Sequence, residues 1–123
     1  MPNPPDGNPA RPPAGTILAK LGDITPGAAI VRDFREGDAW YSLLIARSKD
    51  GAARVYENLC PHAQSPLERF DGRVLVQERR YLICAMHGAS FRIDDGECVG
   101  GPGLGLCLTR VDFVLEGDEI RLS

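Results

Sequence analysis

The sequence has no long apolar run. Nothing in it approaches the roughly 20 residues needed to cross a bilayer, and the N-terminus shows no basic start followed by an apolar stretch. Neither a membrane helix nor a secretory leader is therefore expected, and the expected setting is the cytoplasm. Positive charge is also scarce, with 14 Lys and Arg against 17 Asp and Glu and a net charge of −3. That balance excludes the basic footprint a nucleic-acid binder needs. There is no GxGxxG fingerprint, so the chain is not expected to take hydride from a nicotinamide by itself. Long helical periodicity and internal repeats are missing too. Histidine occurs twice and cysteine four times; with no sign of export, the cysteines read as thiols or metal ligands rather than as a disulfide framework.

Within 123 residues there is room for one domain, and 43% hydrophobic with 25% charged residues is ordinary for a chain that folds around a modest core. Residues 1–15 hold Pro2, Pro4, Pro5, Pro9, Pro12 and Pro13, which remove backbone donors from a segment with little to bury. A disordered or extended tail is expected there, and its PxxP spacings carry no further assignment. From Thr16 onward the pattern is short strands and turns. Strands are expected at 17–21, 28–34, 40–47, 54–58, 74–76, 81–83, 90–93, 97–99, 106–115 and 120–122. Glu36-Gly37-Asp38, Lys49-Asp50-Gly51, Asp94-Asp95-Gly96 and Glu116-Gly117-Asp118 are turn signals between them. In the last long run, Val111, Phe113 and Leu115 alternate onto one face. Trp40 and Tyr41 read as core and rim of a strand, and Arg79 and Arg80 as solvated charge on a hairpin tip. The fold class is all-β, a small antiparallel sandwich or barrel.

Both histidines stand beside a cysteine. Cys60-Pro61-His62 follows the strand that ends at Leu59, and Cys84-Ala85-Met86-His87 follows Tyr81-Leu82-Ile83. Two soft thiolates and two imidazoles suit either zinc or iron–sulfur chemistry. Zinc sites of this composition usually pair Cys with Cys and His with His around a helix; here the order is Cys-His, Cys-His on a β pattern. Cys98 and Cys107 lie in or beside strand-like runs and read as buried or half-buried free thiols packing as small apolar groups.

The C-x-H and C-x-x-H pair, separated by 21 residues, resembles the motif of the Rieske family. The resemblance covers residues 16–122. It includes Leu67 and the Phe70-Asp71-Gly72 turn, the Gly88, Phe91 and Gly96 run, and Gly101-Pro102-Gly103, which is similar to the proline-containing third loop over the family's cluster. It implies a Rieske domain over 16–123, with the cluster-binding part at about 58–103 as a small subdomain of two loops. It also implies a 2Fe–2S cofactor held by Cys60 and Cys84 on one iron and by His62 and His87 on the other. Two ferric ions, two sulfides and two thiolates sum to zero charge, so reduction is easier than for an all-cysteine cluster, and Rieske potentials span roughly −150 to +300 mV.

The resemblance also implies where in that range the chain falls. High-potential members carry a hydroxyl and a tyrosine two and four residues after the second histidine; Ala89 and Phe91 stand there, and Ser90 is offset by one residue, which on a strand faces the other way. The loop-pinning disulfide of those members has no counterpart at Gln64, Ser65 or Met86. A low-potential, ferredoxin-type centre is expected. The function implied is that of a soluble, monomeric one-electron carrier between a flavin-dependent reductase and a terminal oxygenase. Two alternatives stay open: an electron-input subunit of a larger reductase, similar to the small subunit of nitrite reductases, and a zinc-stabilised binding module.

Overall fold

The computed structural model describes residues 8–61, 66–69 and 71–123. Among these residues ten strands follow one another: β1 Ile17–Lys20, β2 Ala28–Glu36, β3 Ala39–Arg47, β4 Ala53–Glu57, β5 Leu75–Gln77, β6 Tyr81–Ile83, β7 Ser90–Arg92, β8 Cys98–Gly100, β9 Phe113–Glu116 and β10 Glu119–Leu122. Leu21–Asp23 forms one turn of 3-10 helix. That turn cuts the expected first strand short. The strands pair antiparallel in three sheets, ordered β1-β10-β9, β2-β3-β4 and β5-β6-β7-β8, which is the all-β architecture expected. No helix among the described residues is long and apolar enough to cross a membrane.

The β2-β3-β4 sheet is the middle layer. Residues Tyr41 to Ala46 of β3 are all buried, and alternation sends them to opposite sides. Leu44 and Ala46 join one core with Tyr56, Leu82, Phe91 and Ile93. Tyr41, Leu43 and Ile45 join a second with Leu18, Val55, Ile120 and Leu122. A strand covered on both faces reads as a continuous apolar run, and this one does. The order of Trp40 and Tyr41 is the reverse of that expected for the core: Tyr41 is buried, whereas Trp40 is half-buried. The hairpins are tight. Glu36 faces Ala39 across β2-β3 and Glu116 faces Glu119 across β9-β10, so each loop has two residues led by a glycine, Gly37 or Gly117, with φ 59°.

Three further expectations change. The run 106–115 is a strand only from Phe113. Before it, single bridges tie Cys107 to Glu97 and Arg110 to Tyr56. The segment crosses from one core, where Leu108 packs, to the other, where Val111 packs, and a single sheet edge cannot serve both. Val111 and Phe113 do face inward, but Leu115 reaches the rim and is exposed. The segment 8–15 has no strand, yet it is docked. Ala10 is buried in the second core, Arg11 Nη1 donates to the Tyr41 hydroxyl, and Gly15 N–H donates to Leu122 O. Residues 1–7, nearly half of the expected tail, lie outside the described residues. Lastly, Arg79 is more than solvated charge. It sits with Glu78 in left-handed backbone, φ 57° and 55°, and its guanidinium donates twice to Pro26 O.

Candidate metal centre

Cys60 lies three residues past the end of β4 and Cys84 one residue past the end of β6. Both are fully buried, in the same core cluster, and neither is in a disulfide. Their thiols stand within hydrogen-bonding reach of one another. Burial pushes the Cys84 thiol above its ordinary pKa and the neighbouring Cys60 adds to this, while the backbone N–H groups of Met86 and His87, aimed at the sulfur, act against it. Two unbridged thiols brought together from separate loops, with N–H donors trained on one sulfur, fit a pair of thiolates on one metal ion. A metal ion there would supply the positive charge that such desolvated sulfurs otherwise lack.

The second loop is closed by its own backbone. Cys84 N–H donates to Ala89 O and Gly88 N–H to Cys84 O. Gly88 holds φ 76° there, a conformation open to glycine at no steric cost. His87 lies in this loop and is exposed, three residues on from Cys84. His62 falls outside the described residues, as do Gln64, Ser65 and Phe70. Three of the four expected ligands can thus be placed: the two cysteines are together, and His87 is at the surface of the loop that Cys84 anchors.

The Gly101-Pro102-Gly103 loop packs on the second loop. A Cβ at Gly101 would come within 3.0 Å of Gly88 O and 3.2 Å of Ala89 Cα, so only glycine allows that approach. Cys98 lies beneath this third loop, its thiol directed at Gly100 O at 3.3 Å and Pro102 O at 3.6 Å. It is the buried free thiol expected; Cys107, by contrast, is exposed, because its backbone only bridges to Glu97 before the chain crosses over. Ala89 and Phe91 are both fully buried, and neither has a side-chain group to donate to a cluster sulfur.

Two features of the site escaped the reading of the sequence. Segments 58–67, 81–91 and 98–109, which form the three loops and their flanks, contain no Asp, Glu, Lys or Arg in a chain that is 25% charged. That was visible as a gap in the charge pattern. Within these loops Met86 and Leu104 are the most exposed large apolar residues, at 67% and 70%. The other feature is Asn58, two residues before Cys60. It is 2% exposed, and its amide bonds to Ser42, Glu68 and Leu67. A buried polar side chain next to an expected ligand is the kind of group that sets a ligand's position.

The family model of the Rieske [2Fe-2S] domain matches residues 16–109. No curated protein sequence matches the chain. Among solved structures, the ferredoxin of carbazole 1,9a-dioxygenase from Nocardioides aromaticivorans IC177 is similar in fold, with a TM-score of 0.65 and 23% identity over 90% of this chain and 98% of that one. The Sphingomonas yanoikuyae B1 ferredoxin superposes with a TM-score of 0.63 and 22% identity over 89% of this chain and 97% of its own. A protein described as the small subunit of an NADPH nitrite reductase gives a TM-score of 0.58 at 12% identity over 90% of this chain and 99% of that one.

Proposed function

Because this chain belongs to the Rieske [2Fe-2S] domain family, we propose that it is a monomeric one-electron carrier that passes electrons from a flavin-dependent reductase to a terminal oxygenase. The cofactor is a 2Fe–2S cluster, and the zinc alternative left open by the ligand types gives way to it. When bound, the cluster takes up and releases one electron at a time. Cys60 and Cys84 would hold one iron, and His62 and His87 the other. The single observation that carries the reading is the unbridged, buried Cys60–Cys84 pair, assembled from two loops.

The residues around the pair have separate tasks. The Met86 and His87 N–H groups stabilise negative charge on the Cys84 sulfur, which favours the reduced state. The third loop, seated on Gly88 and Ala89, backs the loop that carries Cys84 and His87. The exposed His87 edge offers the electron a short way out. Met86 and Leu104 give the tip an apolar, uncharged surface, which suits a small and transient encounter. With Ala89 and Phe91 in place of hydroxyl donors, the centre belongs near the low end of the Rieske range. A cytoplasmic setting accords with the free thiols at Cys98 and Cys107.

Purification in air and under nitrogen tests this. A red-brown protein with two irons and two sulfides per chain, an axial or rhombic signal on reduction, and a low midpoint is expected. A colourless zinc protein rejects the reading, and a midpoint above roughly +100 mV rejects its low-potential part. A second reading, as the electron-input subunit of a larger reductase, is favoured by the fold shared with the nitrite reductase small subunit. Stable co-purification with a large subunit would select it over the free carrier.

A further inference from the structure

The two ligand loops have no covalent link among the described residues, yet they are tied through one residue. Leu67 donates its N–H to Asn58 Oδ1 at 2.9 Å. Its carbonyl accepts the N–H of Ala85, next to Cys84, at 3.1 Å. Its side chain is fully buried in the core shared by Cys60 and Cys84. Asn58 thus grips the far end of the loop that begins with it, and that end grips the second loop. The rest of the amide is also used. Nδ2 donates to Glu68 Oε2 at 2.6 Å and to Ser42 Oγ at 3.0 Å, and the backbone N–H of Asn58 donates to Ser42 O at 2.9 Å. Ser42 donates in turn to Asp33 Oδ1. Since Ser42 belongs to β3, the bracket is fastened to the middle sheet.

We propose that Asn58 is a positioning residue that holds the backbone leading into Cys60 and the loop of Cys84 in register, through Leu67. The proposal rests on the iron–sulfur reading above. An aliphatic side chain of similar size would fill the space but leave Leu67 N–H and the Glu68 carboxylate without their partner, and a buried donor left without an acceptor costs more than the net worth of the bond it lost. The loops would then be free to separate at native temperature even where the sheets stay folded.

The test compares the reconstituted wild-type holoprotein with Asn58→Ala, Asn58→Asp and the double variant N58D/E68Q. Three things are read: cluster release to a chelator, followed by visible absorbance; the paramagnetic resonance spectrum of the reduced protein; and the thermal unfolding midpoint. Asn58→Ala should release its cluster about tenfold faster, with shifted or broadened g-values. Asn58→Asp keeps the acceptor for Leu67 but sets a carboxylate against Glu68, and should be no better. The double variant exchanges amide and carboxylate between the two positions. It restores the bond to residue 68 and the bond to Leu67, leaving only the Ser42 contact unmade, and should return release and g-values to near the wild type.

Wild-type release and g-values in Asn58→Ala overturn the proposal, whatever the unfolding midpoint does, because a purely structural asparagine would move that midpoint alone. Failure of the double variant to improve on Asn58→Asp overturns it as well. If Asn58→Ala does not fold, Glu68→Ala serves in its place: faster release than wild type supports the bracket, and an unchanged rate opposes it. A colourless wild-type protein is a different result, since it removes the iron–sulfur reading itself.

Discussion

On one face of the middle sheet, β3 offers Tyr41, Leu43 and Ile45 to a core closed by β1, β10 and the crossing at Val111. On the other it offers Ser42, Leu44 and Ala46 to a core that takes in Cys60, Cys84, Cys98 and Tyr56. The first face is capped by hairpins with two-residue loops. The second gives rise to three irregular loops with their own internal hydrogen bonds. The same strand thus supports a hydrocarbon base and a thiol-bearing top. A base of short loops and paired strands tolerates little movement, and it can hold in place a top whose backbone is bent around ligands.

The sharpest way to break that division is at the cysteines. Cys84→Ala should abolish cluster binding altogether, read as loss of visible absorbance and of iron and sulfide. The base should still give a cooperative unfolding transition, because none of its contacts passes through Cys84. Loss of the whole transition would mean that the two halves do not fold separately from the metal site. His87→Cys should keep a coloured protein with a lowered potential, or lose the cluster; an unchanged spectrum and midpoint would remove His87 from the ligand set.

Next in size are matched truncations on the two faces. Leu43 is fully buried on the base side and Phe91 on the other. Leu43→Ala should cost about 2–5 kcal/mol and Phe91→Ala about 3–5 kcal/mol in denaturant unfolding. Their spectroscopic effects should differ. Phe91 shares one core with both thiols, so its loss should move the g-values of the reduced protein, whereas Leu43→Ala should leave them as they are. Equal spectral changes from both would erase the distinction between the faces.

Tyr56→Phe is a smaller step on the same face. The Tyr56 hydroxyl donates to Ile93 O from a buried position, and burial raises its pKa to about 12. Removing the hydroxyl strands a buried carbonyl, at a cost of about 1–3 kcal/mol. An unchanged unfolding free energy would show that the carbonyl finds another donor.

What the sequence made legible follows the range of the interactions. The paired strands β2 to β4 and the Gly37 and Gly117 turns depend on local alternation and turn chemistry, and they stand where local rules put them. The Cys-x-His and Cys-x-x-His spacing pointed to two loops, and the loops bring Cys60 and Cys84 together. Nothing local marks Glu78 and Arg79 for left-handed backbone, which costs about 1–2 kcal/mol for a residue with a Cβ. What holds Arg79 there is the carbonyl of Pro26, far away in sequence and supplied by the fold. Ala10 is similar. A proline-rich stretch has too little apolar surface to fold alone, but a groove beside Tyr41 already exists to receive it. Asn58 could have been suspected from its place two residues before Cys60, but its partners come from β3 and from residues 67 and 68, and only the folded chain names them.

The smallest effect concerns pH, and it too separates the faces. The pKa of Glu68 is raised, chiefly by burial, with the Asn58 hydrogen bond pulling the other way and the charge of Asp33 adding to the rise. A carboxyl that binds its proton more tightly in the folded state than in the unfolded one favours folding least when ionised. Its contribution is fully present below the unfolded pKa and is lost as pH rises through the folded one. Glu68→Gln keeps an oxygen to accept from Asn58 and removes the titration. The unfolding free energy of Glu68→Gln minus that of the wild type should therefore grow as pH is raised from about 4 to about 7, then level off. Asp50 and Asp95, held below the usual range by Ser48 and Arg92, lose stability in the opposite direction as pH falls, but they are common to both proteins and cancel in the difference. A flat difference, or one that shrinks with rising pH, would mean that the amide of Asn58 compensates the carboxylate fully. The top of the molecule would then be as insensitive to protons as its hydrocarbon base.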